Sequence, residues 1–282
     1  MREVILARSA GFCFGVKRAV DMVYDRIKEG GNIYTYGPII HNDTVVKDLE
    51  EKGVRIIDGE EDIKNREPGT VIIRCHGVSR RVYSLLEECG MKTVDATCPF
   101  VLKIHRIVEE KSKAGEQIVI IGNKDHPEVQ GIMGWCEEPA IVIDTEEQAK
   151  NFASENPDIH IVSQTTFQPN KFNSLVEIIS DKRYNSNISN TICNATEVRQ
   201  KEAREIAAKA DAMIVIGGSN SSNTRKLYEI ACKECPDTFL IGSVEELDFN
   251  KLKEAKCIGI TAGASTPSNI IQEVHTSVRR EF

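Results

Sequence analysis

No stretch of this sequence stays apolar for the roughly 18 positions a bilayer-spanning helix needs. The short run Val4-Ile5-Leu6-Ala7 is closed by Arg2, Glu3 and Arg8, so neither a membrane span nor a signal peptide is expected. Proline- or glycine-rich linkers and low-complexity tracts are missing too. The units of the chain are therefore expected to pack closely around something shared. Basic charge is in short supply, with Lys plus Arg at 36 against Asp plus Glu at 43 and a net charge of −7. A nucleic-acid partner is not expected on that balance, and any anionic ligand has to be small and locally held. Aromatics are few, at 6%, while hydrophobic residues at 40% and charged ones at 28% are ordinary for a folded protein. The 282 residues are about twice the usual single-domain length, which implies two or three domains.

Cysteine is the residue present in excess. The nine cysteines are an odd number at long spacings, unlike the framework of a small secreted domain. In a cytoplasmic chain, which this is expected to be, that usage points to metal, cluster or redox chemistry. Short β-branched runs, among them Val4 to Leu6, Val71 to Ile73, Ile118 to Ile121, Ile141 to Ile143, Ile159 to Val162, Met213 to Ile216, Phe239 to Ile241 and Ile258 to Ile260, read as buried strands. Helical periodicity fills gaps between them at Val16 to Lys28, Phe100 to Lys113, Glu197 to Lys209 and Thr224 to Glu234. Alternation of this kind predicts an α/β fold with mainly parallel sheets.

Three cysteines stand on turns that open helices, in Gly11-Phe12-Cys13-Phe14-Gly15, Asp95-Ala96-Thr97-Cys98-Pro99 and Thr191-Ile192-Cys193-Asn194-Ala195. They lie 85 and 95 residues apart, close to a third of the chain. The economical reading is three similar α/β units of 14–97, 98–192 and 193–282 with 1–13, each delivering one thiol. A helix N-terminus stabilises the thiolate, the form that binds metal. The ordinary alternative, a small buried hydrophobe, is kept for Cys75, Cys89, Cys136 and Cys257. Cys232 and Cys235 form a Cys-x-x-Cys pair, but no second pair or following histidine pair completes a zinc set, and the pair lies at a helix end where a redox dithiol is not expected.

His41, His76 and His126 sit in turn-like contexts beside strand or helix ends, where parallel sheets place ligands. His105 and His275 read as structural. The loop Gly217 to Thr224 follows a strand and opens a helix, so its amides and hydroxyls suit an anion, although it lacks the Gly-Lys-Ser/Thr ending of a P-loop. The loop Thr261 to Pro267 repeats that logic. Neutral hydroxyls, an amide and histidines together fit a phosphate or diphosphate; an ordinary helix cap is the alternative. Glu128 and Thr165-Thr166 can relay protons in a water-poor pocket, where the plain alternative for Glu128 is a cap that satisfies the helix dipole.

The segments GFCFGVKRAV, His41-Asn42, CHGVS, DATCPFV, HPEVQG, QTT, ICNATEVRQ, GGSNSSNT and TAGAS, running from residue 11 to residue 265, resemble the LytB family of 4-hydroxy-3-methylbut-2-enyl diphosphate reductases. That family performs the last step of the methylerythritol phosphate route to isoprenoids. The resemblance implies three α/β units in pseudo-threefold arrangement around one four-iron four-sulfur cluster per chain, with Cys13, Cys98 and Cys193 as its protein ligands. Three thiolates on four irons leave one iron open, and the resemblance implies that this iron binds the substrate hydroxyl. It further implies His41, His76, His126, Thr165, Asn194, Ser221, Ser222, Asn223 and Ser265 around the substrate, and as catalytic residues Glu128 as proton source, Thr165 assisting at the hydroxyl, and His126. The implied partners are the allylic diphosphate and a ferredoxin or flavodoxin as electron donor. Two rival readings are a three-cysteine dehydratase of the quinolinate-synthase kind and a non-catalytic cluster-bearing sensor. The dehydratase would need carboxylate-binding Arg or Lys in place of the hydroxyl-rich loops, and the sensor would leave Glu128 and Thr165 without a task.

Overall fold

A β-branched run buried on both sides needs partners on both edges and helices on both faces, which is what a parallel sheet provides. The computed structural model describes residues 3–281 and forms three four-stranded sheets in which every pairing is parallel. Along the chain come β1 (Glu3–Leu6), α1 (Phe14–Glu29), β2 (Ile33–Tyr36), α2 (Asp43–Glu51), β3 (Arg55–Ile57), α3 (Glu60–Lys64), β4 (Thr70–Ile73), α4 (Arg80–Glu88) and β5 (Lys92–Asp95). There follow α5 (Pro99–Lys113), β6 (Gln117–Ile121), α6 (Pro127–Met133), β7 (Ile141–Ile143), α7 (Glu146–Asn151), β8 (Asp158–Ser163), α8 (Pro169–Ser180) and β9 (Asn185–Ile188). The last stretch holds α9 (Asn194–Ala207), β10 (Ala212–Ile216), α10 (Ser222–Glu234), β11 (Thr238–Ile241), β12 (Cys257–Ala262) and α11 (Ser268–Glu281). Among the described residues no helix is long and apolar enough to cross a membrane.

The sheets run β3-β2-β4-β5, β7-β6-β8-β9 and β1-β12-β10-β11. Their strands come from residues 33–95, 117–188, and 3–6 with 212–262, and we propose that these stretches mark the chain's three repeat units. By compactness the chain divides in two. One unit gathers the described residues up to Lys17, Ile40–Asp48, and those from Asn194 onward; the other is Arg18–Ile39 with Leu49–Cys193.

In the first of these, alternation along β10 sends Ile214 and Ile216 to one face against Ile270, Ile271, Val274 and Val278 of α11. Met213 and Val215 go to the other face, against Ala203 and Ala207 of α9 and Leu227 and Ala231 of α10. The second unit contains two sheets because α5, which leaves one sheet, packs Ile104 and Val108 under Ile118 and Ile120 of the other. Trp135 reinforces the join. Its Nε1 donates to the carbonyl of Val78 at 2.9 Å, its ring stacks on His105 with centroids 5.1 Å apart, and the Arg80 guanidinium covers it at 5.5 Å.

The eight strands read from the sequence are all present, and four more join them. β3, β5 and β9 lie at sheet edges, where solvent takes one side and Asn185-Ser186-Asn187-Ile188 can serve as a strand. β2 is interior, flanked by β3 and β4, and mixes aromatics with Ile and Thr instead of an aliphatic run.

Ile214 is fully buried in an interior strand, so Ile214→Ala should cost about 2–5 kcal/mol in urea unfolding. Ile188→Ala, at an exposed edge, should stay within about 0.5 kcal/mol of the parent.

Candidate active site

Parallel strands deliver their loops to the sheet edge at the strands' C-terminal ends, and the candidate residues sit on those loops. In the two-sheet unit His76 follows β4, Cys98 follows β5 and N-caps α5, His126 follows β6 and N-caps α6, Thr165 follows β8, and Cys193 follows β9. Pro99 and Pro127 occupy the first positions of their helices, where a missing N–H costs nothing.

Glu128, at the second position of α6, is 2% exposed. One carboxyl oxygen accepts the backbone N–H of Thr165 at 2.6 Å, and the other takes the Thr165 hydroxyl at 2.6 Å. Burial favours the neutral acid and those two bonds favour the anion; burial wins, pushing the carboxyl up to about 7. The backbone N–H of Glu128 donates to Nδ1 of His126 at 3.1 Å. In the neutral ring the proton then lies on Nε2. His76 meets His126 edge to face with centroids 5.3 Å apart. Behind His76, Gly77 holds φ +71, and a Cβ there would come within 2.6 Å of His105 Cε1, so only glycine fits that turn. The carbonyl of Thr165 accepts the N–H of Cys193 at 2.9 Å, which ties the proton-bearing pair to a thiol-bearing turn.

In the other unit Cys13 precedes α1, Ser221 to Asn223 follow β10, and Ser265 follows β12. Ser265 Oγ donates to the carbonyl of His41 at 3.2 Å and lies 3.5 Å from Ser221 Oγ. Ser221 N-caps α10 by accepting the Thr224 N–H at 3.3 Å. Asn223 is buried, and its Nδ2 has no hydrogen-bond partner among the described residues. An unmet buried donor costs about 1–3 kcal/mol, so this amide fits an anionic oxygen better than an empty space. Ser222 is half-buried at the first position of α10, whereas Asn194 is exposed at the first position of α9 and joins none of these hydrogen-bonded groups.

All nine cysteines are outside disulfides, and Cys13, Cys98 and Cys193 are half-buried at helix-opening turns. Soft thiolates in that setting fit an iron–sulfur group. Cys235 caps the end of α10, and burial pushes its thiol up, away from the form that binds metal.

Two arginines escaped the sequence reading. Arg18 on α1 donates to the carbonyls of Thr97 at 3.2 Å and Asp95 at 3.3 Å, gripping the turn that ends at Cys98. Arg199 on α9 is buried and donates to the carbonyl of Gly11 at 2.6 Å, two residues before Cys13. Glu202, one turn along α9, accepts the N–H groups of Arg8 and Ser9, each at 2.9 Å. The available signal was an arginine five or six residues after a helix-opening cysteine, seen twice.

The chain matches the LytB protein family over residues 4–279. It is 46% identical over 279 residues to the 4-hydroxy-3-methylbut-2-enyl diphosphate reductase of Caldanaerobacter subterraneus subsp. tengcongensis, covering 98% of this chain and 96% of that one. To the protein of the same name from Clostridioides difficile (strain 630) it is 47% identical over 276 residues, covering 97% and 98%. Among solved structures, E-1-hydroxy-2-methyl-but-2-enyl-4-diphosphate reductase from Plasmodium falciparum superposes with a TM-score of 0.92 at 30% identity, over 98% of this chain and 87% of that one. A second, (E)-4-hydroxy-3-methyl-but-2-enyl diphosphate reductase, described as the terminal enzyme of the non-mevalonate pathway, gives 0.70 at 41% identity over both chains in full.

Because the fold raises the Glu128 carboxyl from its ordinary value of 4.5 to about 7, its stabilising contribution is fully present below pH 4.5 and is lost as pH rises through 7. Infrared titration should show a carboxylic C=O band disappearing with a midpoint near 7, absent from Glu128→Gln. Relative to that variant, the native chain should lose up to roughly 3 kcal/mol across the same window and nothing below it. A midpoint at or below 4.5 would contradict the burial argument.

Proposed function

The chain belongs to the LytB protein family, and from that premise we propose that it reductively removes the hydroxyl of (E)-4-hydroxy-3-methylbut-2-enyl diphosphate. The products are isopentenyl and dimethylallyl diphosphates. Each turnover takes up two electrons and two protons, breaks the allylic C–O bond and releases water. The observation that carries this reading is Glu128, a buried carboxyl near neutrality whose partner is Thr165, because hydroxide is a poor leaving group and must depart as water.

Cys13, Cys98 and Cys193 would hold one four-iron four-sulfur cluster. When bound, that group would relay the donor's electrons and offer a Lewis-acidic iron. Glu128 delivers a proton to the departing oxygen, and the Thr165 hydroxyl, 2.6 Å from that carboxyl, passes it or orients it. Protonation of the remaining allyl unit at one end or the other accounts for two products. His41, Ser221, Ser222, Asn223 and Ser265, with His76 and His126, bind the diphosphate by hydrogen bonds; Asn194 lies at the substrate as well. Hydroxyls, an amide and imidazoles suit this task, since each can donate a hydrogen bond to an anionic oxygen. The reaction fits the cytoplasm, where nine thiols stay reduced. A ferredoxin or flavodoxin is the electron donor in this reading.

Anaerobic turnover of the hydroxylated diphosphate with dithionite tests the proposal; formation of the two five-carbon diphosphates supports it, and loss of water without electron uptake contradicts it. At matched iron content, Glu128→Gln should bind the substrate nearly normally and turn over more slowly by a factor on the order of 10²–10⁴. Cys13→Ser, Cys98→Ser and Cys193→Ser should each strip or cripple the cluster by iron analysis, whereas the Cys232→Ser, Cys235→Ser double variant should keep its iron.

A further inference from the structure

Among the described residues four large apolar side chains are exposed: Phe14 at 69%, Val198 at 48%, Ile188 at 47% and Phe100 at 46%. Every one falls within five residues of Cys13, Cys98 or Cys193. Exposed apolar groups scattered singly need no explanation, but a set confined to the neighbourhood of three thiols does.

Unpaired positive charge accompanies the exposed ring on α5. Its buried side is Val101, Ile104, His105, Val108 and Ser112. Phe100, Lys103 and Arg106, spaced by three, share the outer side and are exposed. No acid stands in its first turn, where the helix dipole would favour one, and the first acidic residue is Glu109. Farther along, Lys111 pairs with Glu116 at 3.4 Å and Lys113 with Glu109 at 2.7 Å. Lys103 and Arg106 make no ion pair or side-chain hydrogen bond among the described residues. In a chain of net charge −7, the half of α5 nearest Cys98 therefore presents unneutralised positive charge beside an exposed aromatic ring.

We infer that this outer face of α5, Phe100 with Lys103 and Arg106, is the docking site of an acidic ferredoxin that delivers electrons one at a time, two per turnover. The inference rests on the functional reading above. An acidic partner matches the two free cations, and the ring supplies a small desolvated centre. One apolar side chain with a cationic rim gives a small, short-lived contact of the kind electron-transfer pairs use, steered by charge and not held by area.

The test is steady-state reduction of the diphosphate by the holoenzyme under anaerobic conditions, with either a reduced acidic bacterial ferredoxin or dithionite as donor. In the Lys103→Glu, Arg106→Glu double variant, kcat/KM for ferredoxin should fall by about tenfold or more and its dependence on ionic strength should flatten. Dithionite-driven turnover and iron content should stay at the parent level. Phe100→Ser should weaken the ferredoxin reaction alone, and the milder Lys103→Gln, Arg106→Gln variant should shift it in the same direction. An unchanged ferredoxin kcat/KM overturns the docking face, as does an equal loss with both donors or a loss seen only when flavodoxin replaces ferredoxin. A parent chain that turns over with dithionite while the substitutions change nothing defeats the docking face alone. A parent chain that yields no five-carbon diphosphates with dithionite defeats both readings.

Discussion

A carboxyl group that is 2% exposed cannot keep its charge cheaply, and burial puts Glu128 in that condition against the two Thr165 hydrogen bonds, which favour the anion and fix the carboxyl's orientation. The same threonine takes the N–H of Cys193 on its carbonyl, so one residue spaces the acid from a thiol-bearing turn. His126 caps the helix start from the other side and thereby fixes which of its own nitrogens carries the proton. Remove the burial and the acid becomes an ordinary anion near pH 7; remove the threonine and its orientation goes. The proton chemistry proposed here depends on that pair more than on any other contact.

The pair exists where it does because the sheets are parallel. Parallel strands return through helices, so every loop that follows a strand emerges on the same edge of its sheet, and the loops after β4, β5, β6, β8 and β9 carry His76, Cys98, His126, Thr165 and Cys193. The aliphatic runs Ile118 to Ile121 and Met213 to Ile216 were legible because full burial on both faces demands them. Asn185 to Ile188 was not, because an edge strand open to water places no such demand on its side chains. The cysteines were legible by spacing and by the turns around them. Arg18 and Arg199 were not: a guanidinium that grips a backbone carbonyl seventy or more residues away leaves no local pattern, and each read as one more charge on a helix.

Charge in this chain is arranged by task. The groups proposed to hold the diphosphate are hydroxyls, amides and imidazoles, while the formal cations of Arg18 and Arg199 are spent on carbonyls of the turns before Cys98 and Cys13. Guanidinium groups at those places hold two thiol-bearing turns by charge-assisted bonds that are stiffer than neutral ones. The remaining unpaired cations of α5 face water. In a chain of net charge −7, a local basic face is the arrangement that the proposed docking of an acidic electron carrier requires, since attraction is then confined to one region of the molecule.

Reductive loss of a hydroxyl and simple dehydration differ in electrons and in where solvent hydrogen ends up. Anaerobic turnover of the hydroxylated diphosphate in deuterium oxide, with a titrated amount of dithionite, reads both. Two electrons consumed per molecule, with one deuterium on carbon in each of the two five-carbon diphosphates, is the outcome that reduction with proton delivery predicts. Products free of deuterium, or substrate consumed without electron uptake, would contradict it.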